Sequence, residues 1–238
     1  MLTLRRSLLL LGSALTLAMP PLVQAQATNA NTTAKPQVHN RHLADNGDTI
    51  EVGVQPRYLL QNQYGAVITN QDFPDQFQLI TFGYTSCPDV CPTTLAEMAA
   101  ILEQLGDAGK RLQPLFITVD PERDTPKVLG NYVAFFHPRI QGLTGSQPLV
   151  QRVAENFKVR FEKVREPGSE QYWMDHSAGM YLLGPDGAFI AKFAYAMPAA
   201  EITERLRQFI AEAPPPRQRK GGEGLEGVPL PAPAQLPQ

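Results

Sequence analysis

Both cysteines of the 238-residue chain, Cys87 and Cys91, lie within the segment GYTSCPDVCPTTL, Gly83 to Leu95. They stand four positions apart where a predicted strand gives way to a predicted helix. If the helix begins near them, the two side chains lie one above the other on one face, close enough to share a metal ion or to be oxidised to a disulfide. Metal handling, redox exchange and a structural staple are the readings open to such a pair. The staple is the weakest: closing so short a loop restrains the unfolded chain by about 2 kcal/mol, against about 3 kcal/mol for a 15-residue loop. A domain of this size also has enough core without it. Placement at a helix start lowers a thiol's pKa and favours the thiolate, which is both nucleophile and soft-metal ligand. Pro88 and Pro92, one after each cysteine, remove two N–H donors and stiffen the loop.

Two thiolates leave a metal undercoordinated, so a third donor is sought among His39, His42, His137 and His176. His39 and His42 fall in a stretch without apolar periodicity and read as solvated. His137, followed by Pro138, reads as the C-terminal cap of a helix. His176, in YWMDHS just before a predicted strand, is placed in a loop that returns beside the cysteines in a thioredoxin-like sheet. On position alone, a satisfied loop histidine accounts for it as well as a ligand does. Among the remaining polar residues, Asp89 reads as solvated and Asp124 as a helix cap with Pro126 in the first turn. Asp120 follows a core strand and faces the cysteine loop. Met180 reads as core and Met174 as a loose contact.

The elements that must position these residues follow from periodicity. A hairpin over 57–60 and 66–69 turns at Gln63-Tyr64-Gly65, and 78–83 is a buried strand. Leu95, Met98, Ala99, Leu102 and Leu105 mark a helix over 93–105 that stops at Gly106. A second buried strand covers 115–119, a helix 125–136, a short strand 140–143 and a helix 148–157. A hairpin over 179–183 and 189–193, turning at Pro185-Asp186-Gly187, precedes a last helix at 199–210. This order predicts an α/β, thioredoxin-like single domain with an N-terminal hairpin extension.

The flanks read differently. Residues 1–27 carry Arg5 and Arg6, an apolar run from Ser7 to Met19 and small residues near Ala25, the pattern of a secretory signal peptide. The run is shorter than the roughly 20 residues that span a bilayer; an uncleaved membrane anchor is the alternative. Residues 28–56 are expected as a linker, 57–213 as the folded domain and 214–238 as a disordered, proline-rich tail. The expected location is the periplasm, with inner-membrane anchoring if the segment stays on. A net charge of −2 gives no reason to expect nucleic acid.

The segment GYTSCPDVCPTTL, then VDPERDTP at 119–126, then Asp175-His176-Ser177 occur in that order, and together they resemble the Sco/SenC proteins, copper chaperones of cytochrome c oxidase assembly. The resemblance covers roughly Tyr58 to Ile210. It implies a thioredoxin fold that binds one copper ion, Cu(I) or Cu(II), through Cys87, Cys91 and His176. It also implies delivery to the binuclear copper site of oxidase subunit II. The chemistry agrees: thiolates select soft Cu(I) and imidazole suits either state, although zinc accepts the same donors. The protein is then a binding and transfer protein, not an enzyme, that needs a thioredoxin-like periplasmic reductant and another copper chaperone as donor. A periplasmic thiol-disulfide oxidoreductase, which needs the cysteines but not His176, and a peroxidase on the same fold are the rival readings.

Overall fold

The structure, a computed structural model, describes residues 50–165 and 167–216. The expected signal peptide, His39, His42 and most of the tail lie outside the described residues. Nine strands and four α-helices are described: β1 (Leu59–Asn62), β2 (Val67–Thr69), β3 (Phe77–Gly83), α1 (Val90–Leu105), β4 (Leu112–Thr118), α2 (Pro126–Phe136), β5 (Gln141–Thr144), α3 (Gln147–Asn156), β6 (Phe161–Arg165), β7 (Tyr172–His176), β8 (Met180–Leu183), β9 (Phe189–Phe193) and α4 (Ala199–Glu212).

Seven strands form one sheet in the order β2-β1-β5-β4-β3-β8-β9, and β6 pairs with β7 apart from it. β3 runs parallel to β4, and β4 parallel to β5, so α1 and α2 are crossover connections. β8 returns antiparallel to β3, with Thr81 opposite Met180, and β9 continues as a hairpin. This is the thioredoxin-like arrangement, with the β1–β2 hairpin added at the β5 edge.

All seven residues of β3 are buried, as expected of a central strand covered on both faces. Successive side chains point to opposite faces. Phe82 meets Phe157, at the end of α3, at 5.4 Å between ring centroids, and Tyr181 at 5.7 Å. Gly83 faces the other way, toward Cys91 and Phe116. Phe116 in turn packs on Tyr132 of α2 at 5.7 Å. In α1 the residues Cys91, Thr94, Leu95, Met98, Ile101, Leu102 and Leu105 are buried, one stripe at helical spacing. At Gly106, φ is 54°, a conformation that favours glycine and ends the helix.

Two expectations shift here. The segment 50–56, expected as linker, is held to the domain: Ile50 is buried, Gly53 N–H donates to the Phe189 carbonyl at 2.9 Å and Phe189 N–H to that of Val54 at 2.7 Å. The β6–β7 hairpin was not foreseen. Its strands, FEKVR and YWMDH, carry many charges and are half-buried, so they lack the apolar alternation that marks the other strands.

Candidate metal centre

α1 begins at Val90, earlier than the apolar stripe indicates, so Cys91 sits in its first turn and Cys87 in the loop before it. Both are buried free thiols. Cys87 is 9% exposed and Cys91 only 2%, so the loop cysteine is the accessible one. The Cys91 backbone N–H points at Cys87 Sγ, 3.5 Å away. Behind Cys91 the wall is close: a Cβ at Gly83 would stand 2.7 Å from its sulfur and 2.8 Å from the Phe116 ring. Glycine is therefore needed at the end of β3 for the sulfur to sit against the sheet.

His176 is the last residue of β7, correcting its expected placement in a loop. Its Nε2 lies 3.7 Å from Cys91 Sγ, bringing together residues 85 apart in sequence. Its Nδ1 is 3.0 Å from the Ser177 carbonyl oxygen, which only accepts, so Nδ1–H donates there and Nε2 faces the sulfurs. The ring is fixed further by an edge contact with Tyr84, 6.1 Å between centroids. The turn after it is tight. Gly179 has φ of 116° and its carbonyl accepts from Thr81 Oγ1 at 3.0 Å, while a Cβ there would stand 2.5 Å from the Phe193 oxygen.

The two thiols titrate apart. Cys87 is lowered to about 3, first because the Cys91 thiol donates to it, then through His176 and the N–H groups of Asp89 and Cys91, all against the cost of burial. Cys91 is raised, first by burial and then by its hydrogen bond to Cys87 and the charge there. The expected helix-start activation is therefore realised at Cys87 alone, and through hydrogen bonds. The pair holds one proton between its sulfurs, and a metal bound by both must displace it.

The segment DPERDTP holds the cysteine loop and the strand that carries His176 in place. Asp124 was expected to cap α2; that role belongs to Thr125, whose hydroxyl accepts from Val128 N–H at 3.3 Å. Asp124 is instead fully buried. It accepts from Thr85 N–H at 3.0 Å, Thr85 Oγ1 at 2.6 Å and Thr118 Oγ1 at 2.6 Å, tying the cysteine loop to the end of β4. Asp120, 2% exposed, directs its carboxylate to residues that fasten β7. It pairs with Arg123 Nε and accepts from the Tyr172 hydroxyl at 2.9 Å. The Arg123 guanidinium lies 3.8 Å from the Tyr172 ring centroid and donates to the Tyr172 carbonyl at 3.1 Å. Tyr172 opens β7, so this cluster fastens the strand that ends in His176. Such cation–π contacts contribute about 0.5–2 kcal/mol each. Nothing in the sequence singles out Thr85, Thr118 or Tyr172; only the fold brings them to the aspartates.

The other expectations resolve simply. His137 is the C-cap of α2, its N–H bonded to the Val133 carbonyl at 3.2 Å. Asp89 is exposed, Met180 is core, and Met174 is buried at 5% exposure, not a loose contact. Among the described residues no group of three His, Cys, Asp or Glu side chains forms a ready metal cage. Cys91 and His176 are set on a helix and a strand, and Cys87 sits on the loop, where adjustment is easiest. With bonds of about 2.3 Å to sulfur and 2.0 Å to nitrogen, one metal ion can bridge the 3.7 Å between Cys91 and His176. The donor set of two sulfurs and one imidazole suits copper.

A thioredoxin-like domain presenting a cysteine pair and an imidazole beyond the carboxyl end of its central strand is the class that fold and site define. The model of SCO1/SenC proteins matches residues 48–211, and the chain belongs to the SCO1/SenC family. It is 40% identical over 159 residues to the mitochondrial SCO2 homolog of Bos taurus, a match covering 66% of this chain and 60% of the bovine protein. The solved structure of Bradyrhizobium japonicum ScoI with copper bound aligns with a TM-score of 0.61 at 35% identity, over 67% of this chain and 99% of that one. A more distant structure, of the Sco protein BsSco in which a disulfide switch was identified, is described as a cytochrome c oxidase assembly protein. It aligns at 0.54 and 25% identity, over 70% of this chain and 98% of that one.

Proposed function

We propose that this protein is a copper metallochaperone that binds one copper ion through Cys87, Cys91 and His176 and delivers it to the binuclear copper site of cytochrome c oxidase subunit II. The observation that carries the reading is the approach of His176 Nε2 to Cys91 Sγ at 3.7 Å, with the opposite ring nitrogen committed to a backbone carbonyl. A dithiol used only for electron transfer has no need of it. Cys87, the more exposed thiol on the more adjustable segment, is where a recipient's own donors enter and exchange begins. Oxidation of the pair to a disulfide removes both thiolates, so the site exists only in the reduced protein. A thioredoxin-like reductant and a copper donor complete the cycle. The N-terminal apolar run supports a periplasmic site for this cycle, either free or anchored at the inner membrane.

The experiment is metal analysis and absorption spectroscopy of the reduced, copper-loaded protein beside His176→Ala. Loss of copper with a dithiol still reducible is expected. Equal retention would remove His176 from the ligand set and leave the thiol-disulfide oxidoreductase reading in its place.

A further inference from the structure

At the end of the sheet opposite the cysteines, a groove of about 650 Å³ opens between the start of β3, the β8–β9 turn and the end of α4. Phe77, Phe189, Ile190 and Phe209 form its apolar lining, and Ile190 and Phe209 are half-buried. Pro214 and Pro215 stand at its rim, where the described chain runs out at Pro216. The chain's exit is pinned there: Arg111 donates to the carbonyl of Ile210 at 3.1 Å and to that of Pro214 at 2.8 Å. Three carboxylates, Asp75, Asp186 and Glu212, also line the groove.

The sequence that follows matches this groove in order and in chemistry. Arg217, Arg219 and Lys220 come directly after Pro216. Next come Gly221, Gly222, Gly224 and Gly227, which let the chain reverse. Then comes Val228-Pro229-Leu230-Pro231-Ala232-Pro233, in which proline alternates with apolar residues. Such a run favours the polyproline II helix, which loses little entropy on docking and is recognised by aromatic-lined grooves. We propose that this segment of the chain's own C-terminal tail docks in the groove, with the basic cluster held at its acidic rim.

Reach and concentration both favour it. The 12 steps along the chain from Pro216 to Val228 span up to about 40 Å when extended, more than the turn back into an adjacent groove requires. A short flexible tether holds its end at an effective concentration on the order of millimolar, so even a weak site is occupied within one molecule.

The test is methyl NMR of the full chain beside Val228→Asp/Leu230→Asp. Docking predicts contacts between the Ile190 δ1 methyl and the methyls of Val228 or Leu230. In the double variant those contacts are lost and the Ile190 methyl shifts, while Ile101 in the core of α1 stays fixed. High salt shifts Ile190 in the same direction, because the charged rim is screened. An unmoved Ile190 methyl overturns the proposal. So do contacts seen only between differently labelled copies, or a shift that disappears on dilution, since the occupant is then a second molecule. An added proline-rich peptide that shifts the Ile190 methyl of the native chain at the same concentration as that of the double variant likewise assigns the groove to a foreign partner.

Discussion

Asp124 holds the cysteine loop, and its removal gives the sharpest check on how the site is positioned. In Asp124→Ala the Thr118 hydroxyl, fully buried, loses its acceptor, at about 1–3 kcal/mol for an unsatisfied buried group. The Thr85 N–H and hydroxyl lose theirs at a half-buried position that water can reach, adding about 1 kcal/mol. The expected loss is thus about 2–4 kcal/mol, or roughly 5–15 °C in Tm for a domain of this size. Asp124→Asn should cost far less. Its oxygen can accept from Thr85 N–H and Thr118, while its amide donates to the Thr85 hydroxyl, which rotates to accept. The pH dependence has a definite sign. Burial raises the Asp124 carboxyl above the usual range against the pull of its donors, so its contribution is complete below about pH 4 and declines as pH rises through the folded value. The native chain's advantage over Asp124→Asn is therefore larger on the acid side than at neutrality. Denaturation of the reduced, metal-free protein followed by circular dichroism, with copper retention against a competing chelator, reads both effects. If Asp124→Ala lies within about 0.5 kcal/mol of native, as ordinary surface changes do, or if Asn is as damaging as Ala, the clamp is refuted.

Gly83→Ala should displace Cys91, because the added methyl meets its sulfur and the Phe116 ring; a loss of about 1–3 kcal/mol with weaker copper retention is expected, and an unchanged chelator competition would contradict it. Cys91→Ala removes the thiol that donates to Cys87, so the pH midpoint of Cys87 alkylation should move up toward the ordinary thiol value. A midpoint that stays low would assign the activation to the helix instead. Arg123→Ala leaves the Asp120 carboxylate buried without its cation and removes the guanidinium from the Tyr172 ring and carbonyl, at about 1–3 kcal/mol; hydrogen exchange of the β6–β7 amides should rise more than that of β3, and uniform protection would count against the fastening role.

How much of this was legible beforehand varied with the source of each element's stability. β3, α1, β4, α2 and the β8–β9 hairpin derive theirs from apolar burial, and burial leaves a period of 2 or 3.6 in the sequence. Their boundaries moved by only a few residues. The β6–β7 hairpin is fastened by Arg123 over Tyr172 and by Lys163 paired with Glu122 at 2.7 Å. Contacts between residues 41 and 49 positions apart leave no periodic mark. Asp124 misled for a related reason: Asp-Thr-Pro is a sound helix start, but capping fell to Thr125 once burial turned the aspartate inward to Thr85 and Thr118.

By itself the sequence determined that two thiols lie together at a helix start, because a separation of four residues is a local property that the backbone alone converts into proximity. Only the tertiary structure decided what stands opposite them. His176 reaches Cys91 because β8 pairs antiparallel with β3, Gly179 allows a close approach to Phe193, and the DPERDTP segment fastens both neighbours. The same packing split the thiols, burying Cys91 and leaving Cys87 as the acceptor of its proton's hydrogen bond. Desolvation depends on what surrounds a group in three dimensions, and no spacing along the chain encodes it.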